Sequence, residues 1–365
     1  MSTRSSRALV GGLAAVGLVL ATPVMASAAP KPPSTPQEWS NVVVSPFNLE
    51  VDGPRVLVAD GGNADLDIDG SVGALQPDGS VTPVVPDVPG ASGVAVRGNW
   101  LAYTSTVSEG FINVESGLNI RTPNGQTIYA DTMAYEVANN PDQVNTYGVT
   151  DPLPGSCAAE VGLGAYMGAI DSHAYSVAAY AGGWVVADAG ANDLLRIDNA
   201  GNISTLAVLP PQPSVITAEA AAAFGLPPCV VGDTYYFEPV PTDVETGTDG
   251  YLYVTTLPGG PEGPELGARG ALWRVDPKTG AAEQLAGGFA GATNLAVGKG
   301  GVIYVAELFG GRISAVQAGT ASTFVELPAV VSVETGANGT VWAATLTGSV
   351  VSISNGKVKI QGKLP

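Results

Sequence analysis

A short unit recurs six times along this 365-residue chain, and it restricts the fold more than any other feature. Each copy opens on a tight-turn dipeptide and runs into a brief apolar strand: 52–60 (DGPRVLVAD), 98–105 (GNWLAYTS), 182–188 (GGWVVAD), 249–256 (DGYLYVTT), 300–307 (GGVIYVAE) and 339–345 (NGTVWAAT). DG, GG and NG accept positive φ in two-residue hairpin turns, and the Val, Ile, Tyr and Trp that follow suit a pleated, half-buried surface. A second turn follows each strand, at 76–80, 122–126, 198–202, 276–281, 317–321 and 354–357. Two hairpins per unit imply four antiparallel strands. Six such units predict an all-β, six-bladed β-propeller of four-stranded antiparallel blades, a fold made by radial repetition. A pair of β-sandwich domains is the competing architecture, although it does not demand one order of turn and strand six times. The segment 131–172 leaves room for a seventh, degenerate blade. Composition agrees: 48 Gly and 28 Pro resist long helices.

The ends read differently from the middle. Residues 1–28 form a signal peptide, with Arg4 and Arg7 before an apolar run from Ala8 to Ala21 and a small-residue cleavage pattern at Ala26-Ser27-Ala28. The Pro-rich stretch 29–40 is a leader, and 41–365 is the propeller. The protein is thus expected to be secreted, with no membrane span, because the apolar run is short for a bilayer. Ring closure is assigned to Val42–Val44 pairing with a terminal sheet, the last unit running on to 356–363. The 33 acidic residues against 15 basic ones give a net charge of −18, which excludes nucleic acid as a partner because phosphate binding needs a basic surface.

Two long connectors, 131–172 and 209–238, precede the third and fourth units and should emerge on one face. Cys157 lies in the first and Cys229 in the second. In an oxidising compartment an even pair predicts a disulfide.

Four segments carry a family resemblance: 139–149 (NNPDQVNTYGV), 172–198, 240–261 and 270–276 (GALWRVD). They resemble the ScyD/ScyE-type secreted bacterial proteins, relatives of the NHL and gluconolactonase-like propellers. The resemblance implies a propeller fold and leaves the function open. One departure is Ser172-His173-Ala174-Tyr175, where the family reads Ser-Asn-Pro-Tyr.

Candidate chemistry sits where each repeat strand ends. Asp60, Ser105, Asp188, Thr256, Glu307 and Thr345 occupy one repeat position, and six oxygens there could line a common binding funnel. Oxygen ligands suit a hard cation such as Ca2+, with Asp188, Glu307 and Asn192 as the metal set. The same residue types also begin turns by bonding nearby backbone, so a turn-forming role competes. Asp65, Asp67 and Asp69 before Gly70 echo the start of a calcium loop, but the twelfth position is Gln76 rather than Glu. His173 is the only histidine, which excludes multi-His zinc sites and leaves it as the one imidazole base. Tyr235-Tyr236-Phe237 in the second connector reads as rim packing or as an apolar contact for a ligand. No G-x-S-x-G, G-x-G-x-x-G or Walker A run occurs. The sequence therefore predicts a monomer that binds a small molecule or protein through its loop-rich face. The alternative is a metal-dependent hydrolase or lactonase in which His173 or Asp60 takes a proton.

Overall fold

The computed structural model describes residues 37–40, 44–63, 68–150, 157–261 and 264–354. The signal segment, Asp65, Asp67 and 356–363 lie outside them. The described chain forms seven four-stranded sheets, of which six share one plan. In five of them four sequential strands pair antiparallel as a meander, and in the sixth three do. The first sheet, for example, comprises Pro46–Asp52, Arg55–Asp60, Ser71–Leu75 and Val81–Val85. The second, third, fourth and fifth start at Val94–Arg97, Ala174–Tyr180, Pro241–Thr246 and Ala292–Val297. The sixth starts at Val330–Thr335.

First strands of consecutive sheets touch in order, and that of the sixth touches that of the first, so the six sheets close a ring. Closure uses Gln37–Ser40, which pairs antiparallel with Val350–Ile353 as the fourth strand of the sixth sheet. Val42 and Val43 of the expected closing segment lie outside the described residues, and the closing strand that is described lies inside the stretch read as a leader. One sheet thus joins both ends of the described chain.

Apolar cores fill the gaps between sheets. Leu57, Ala59 and Val72 of the first sheet pack on Val94 and Leu101 of the second. Val185 and Leu194 of the third pack on Val244, Leu252 and Trp273 of the fourth. Equivalent clusters occupy the other four gaps. The alternation in each strand sends successive side chains to its two neighbours, which is why strands such as Gly183–Asp188 are buried along their whole length.

The repeat unit seen in the sequence is the second strand of each sheet, not the first. The innermost strands went unread, and they carry a hydrogen-bonded belt. Asn48 accepts from Val94 N–H of the second sheet, and Ser92 beside that strand donates to Ala174 O of the third. Ser176 of the third donates to Asp243 of the fourth, whose other oxygen accepts from Leu295 N–H of the fifth. Asn294 of the fifth accepts from Val333 N–H, and Ser332 of the sixth donates to Pro46 O of the first. Side chains at one register position thus tie five of the sheets to the next, and Ser92, one residue earlier, does so for the second. The second sheet has Gly93 there, because a Cβ would stand 2.8 Å from Ser176 Cα and 3.0 Å from Tyr175 O. Gly93→Ala is expected to force the second and third sheets apart at a cost of about 1–3 kcal/mol, measurable by urea denaturation.

The seventh sheet follows another plan. Its order is Tyr166–Met167, Thr146–Val149, Thr234–Phe237, Gln212–Val215, so it draws two strands from each long connector. The stretch 131–172 therefore supplies half of a composite seventh sheet that forms a cap. Its own small core contains Val149, Ala158, Ile216, Ala221 and Val230.

Candidate functional site: the loop face and its cap

In the six meanders, the loops between second and third strands and the connections between sheets emerge on one face. The six repeat oxygens stand at its edge, and each is held by local bonds. Asp60 accepts from Val44, Ser45 and Gly62 N–H at 3.0, 2.8 and 3.1 Å. Glu307, fully buried, accepts from Ala290 N–H, from Arg312 at 2.8 and 3.0 Å, and from Ser314 at 2.5 Å. Ser105 accepts from the Asn119 amide. Thr256 accepts from the Trp273 indole and donates to Gln212, while Thr345 pairs with Thr347.

Asp188 is buried completely. One of its oxygens accepts from Ser172 Oγ at 2.6 Å, the other from His173 N–H at 2.6 Å and Ala191 N–H at 3.1 Å. Burial pushes its pKa up, and these donors oppose the rise. Sequence proximity thus did bring His173 to Asp188, but through its main chain. The imidazole packs edge-on against Tyr175, 5.3 Å between centroids, and desolvation lowers its pKa. Asn192, at φ +57°, bridges cap and ring: its amide donates to Asp142 at 2.9 Å, and its carbonyl accepts from Val240 N–H. Among the described residues no group of three or more His, Cys, Asp or Glu is arranged to hold a metal ion. Asp69 is exposed beyond the Asn63–Ile68 bridge.

Cys157 and Cys229 are bonded, with Cα atoms 6.1 Å apart, and the bridge joins the two connectors as the sequence predicted. Tyr235 and Phe237 stack at 4.5 Å in the cap, and the Arg269 guanidinium lies 4.3 Å over Phe237. Between cap and fourth sheet, Phe237 and Arg269 border a cavity of about 370 Å³ lined also by Gln212, Pro258 and Trp273.

The loop face is also where the exposed apolar side chains gather. Phe111, at 108% relative exposure, and Ile112 tip the long hairpin of the second sheet. Phe309 and Leu346 project from the corresponding loops of the fifth and sixth sheets, and Val144 and Met167 from the first connector. The turns on the opposite face present no comparable series among the described residues.

A further group was missed in the sequence. Glu50, Glu245 and Glu334 occupy one register position on the innermost strands of the first, fourth and sixth sheets, where the other three sheets have Ala95, Ala178 and Ala296. They act on one another and on Asp243, and burial raises all four pKa values, Glu50 to about 8. The words VETGTDG (244–250) and VETGANG (333–339) recur in the sequence and would have revealed two of them.

No family model and no curated relative matches the sequence. Solved structures do match its shape. A glucose dehydrogenase is 10% identical, covers 89% of this chain and 100% of its own, and superposes with a TM-score of 0.54. A chain of a nidogen/laminin complex is 10% identical over 82% of this chain and 89% of its own, with a TM-score of 0.51. A protein of unknown function from Bacteroides thetaiotaomicron is also 10% identical, over 87% and 71%, at 0.50. The fold is propeller-like. At these identities the likeness extends to the fold alone, and membership of the ScyD/ScyE-type family is not shown. Among the described residues no helix is long and apolar enough to cross a membrane, and the disulfide is compatible with a secreted protein.

Proposed function

We propose that this chain is a secreted six-bladed propeller, similar to the ScyD/ScyE-type proteins, that binds an apolar ligand or protein partner on its loop face. The carrying observation is that Phe111, Ile112, Phe309 and Leu346 are exposed on loops of that face, with Val144 and Met167 exposed in a connector of the disulfide-clamped cap. Apolar side chains gathered on one face of a chain this acidic are a feature of interaction surfaces. The cavity beside Phe237 and Trp273 would take the smaller, flatter part of such a ligand. Repeat oxygens serve this reading as ties that fix the loops.

A direct test uses an environment-sensitive apolar dye, 8-anilinonaphthalene-1-sulfonate, as the probe. Replacing Phe111 and Ile112 together by Ser is expected to weaken dye binding about tenfold, the scale of a lost anchor, and to leave stability within about 0.5 kcal/mol. Undiminished dye binding would remove the hairpin tip from the site. The hydrolase alternative predicts instead a stoichiometric metal with the purified protein and a Tm that falls in chelator.

A further inference from the structure

Beneath the cap lies a chamber of buried acids. Helix α1 (Thr132–Asn139) of the first connector begins on Asp131, whose carboxylate accepts from Ala134 N–H, and it buries Thr132 and Glu136. Thr132 Oγ bonds Ser116 and Ser172 Oγ, and Ser172 passes the chain on to Asp188. Glu136 is 1% exposed, and its Oε1 has no partner. Asp188 and Asp193 face each other across the second and third strands of the third sheet, and Asp188 acts on Glu136 and Glu136 on Asp193. Directly opposed like charges repel. Asp193 is fully buried and neither of its oxygens has a partner. Asp142, following α1 on the same connector, has one oxygen bound by Tyr147 and Asn192 and the other unpartnered.

The charged groups acting on Glu136 are Asp142, Asp188 and Asp171, and those on Asp193 are Asp188, Glu136 and Asp142. Glu238 faces Asp142 from the second connector. His173 stands beside Asp171, with desolvation lowering its pKa. Among the described residues, the groups that act most strongly on Glu136, Asp142, Asp188 and Asp193 include no Lys or Arg. Unpaired charges buried this deeply are not tolerated, so the chamber must be neutralised. A metal would need several oxygens at one point, which the described side chains do not offer. Protons suffice.

We propose that a protonated Glu136 latches the first connector over the buried carboxyls of the third sheet, so that the cap loosens from the ring as the solution becomes alkaline. Burial, and then the neighbouring acids, raise the Glu136 pKa to about 8. The raised value sets the sign. Stability from this group is complete below the ordinary carboxyl range near 4, and it is lost as pH rises through about 8. With the cap loosened, the disulfide keeps its two halves together, and the Asp142–Asn192 bond is among the ties broken.

The test is hydrogen exchange of cap amides (Tyr147, Val149, Tyr235) in the full protein at about pH 6 and about pH 9, corrected for intrinsic rates. Protection is expected to fall with pH by up to about tenfold per unit for each proton released. Glu136→Gln, which keeps the shape of the protonated acid, should flatten that fall. Cap protection independent of pH in the wild type would overturn the proposal whether or not the variant folds. So would cap protection at about pH 8 that depends on added CaCl2 and is lost in chelator, since a cation would then neutralise the chamber instead of a proton.

Discussion

Replacing Glu307 by Ala is expected to cost about 3–5 kcal/mol, the range for removing one partner from a buried charge pair. The fully buried carboxylate collects Ala290 N–H, the Arg312 fork and Ser314 Oγ, so its removal strands three sets of donors at once. Arg312 is 37% exposed and can turn toward water, whereas Ser314 and Ala290 N–H cannot follow easily. Thr345→Ala, at the same repeat position, removes a hydroxyl that pairs with Thr347 and should cost only about 1 kcal/mol. Urea denaturation of both variants checks the contrast. Equal losses would mean that the repeat position, and not the charge network, sets the energetics.

Loss of the Cys157–Cys229 bridge should be the second large effect. It closes a loop of 72 residues. The chain-entropy account assigns about 4 kcal/mol to a loop of that length. The loss falls mainly on the cap, whose core is small and whose strands are short. In Cys157→Ser with Cys229→Ser, the cap amides of Thr146–Val149 and Thr234–Phe237 are expected to lose exchange protection first. The third sheet, with Trp184, Leu194 and Leu195 buried on both sides, should keep its own. Simultaneous loss in both would show that the cap and ring unfold as one unit.

The legible part of this protein was its local code. Turn dipeptides and Val/Tyr/Trp strands located the second strand of every meander, since positive-φ turns and half-buried strands leave compositional traces. The disulfide was legible from export and an even count. The innermost strands escaped because their informative residues, Asn48, Ser176, Asp243, Asn294 and Ser332, differ in type while doing one job. Each binds the next sheet, a partner some 40 or more positions away, or at the other end of the ring, and local pattern does not register such a partner.

The six repeat oxygens show the same boundary. Sequence placed five of them at strand ends, while Ser105 lies inside the longer strand Trp100–Glu109, and their polarity suggested convergence on a ligand. The structure gives each one nearby donors or acceptors. For Asp60, Asp188 and Glu307 these are backbone N–H groups of the adjoining loops, since a buried amide must find an acceptor. Conversely, Glu136, Asp142 and Asp193 carried no signal in the sequence, being scattered acids in an acidic chain.

By itself, the sequence determined that this chain would form six short-stranded units and join its two long connectors by a disulfide. Turn chemistry and strand preference are properties of neighbours along the chain. Only the tertiary structure decided how the ring closes, that the connectors weave a seventh sheet, and that buried acids meet beneath it. Those outcomes depend on which distant groups burial brings together, because an acid's pKa and an amide's partner are set by what surrounds them in space.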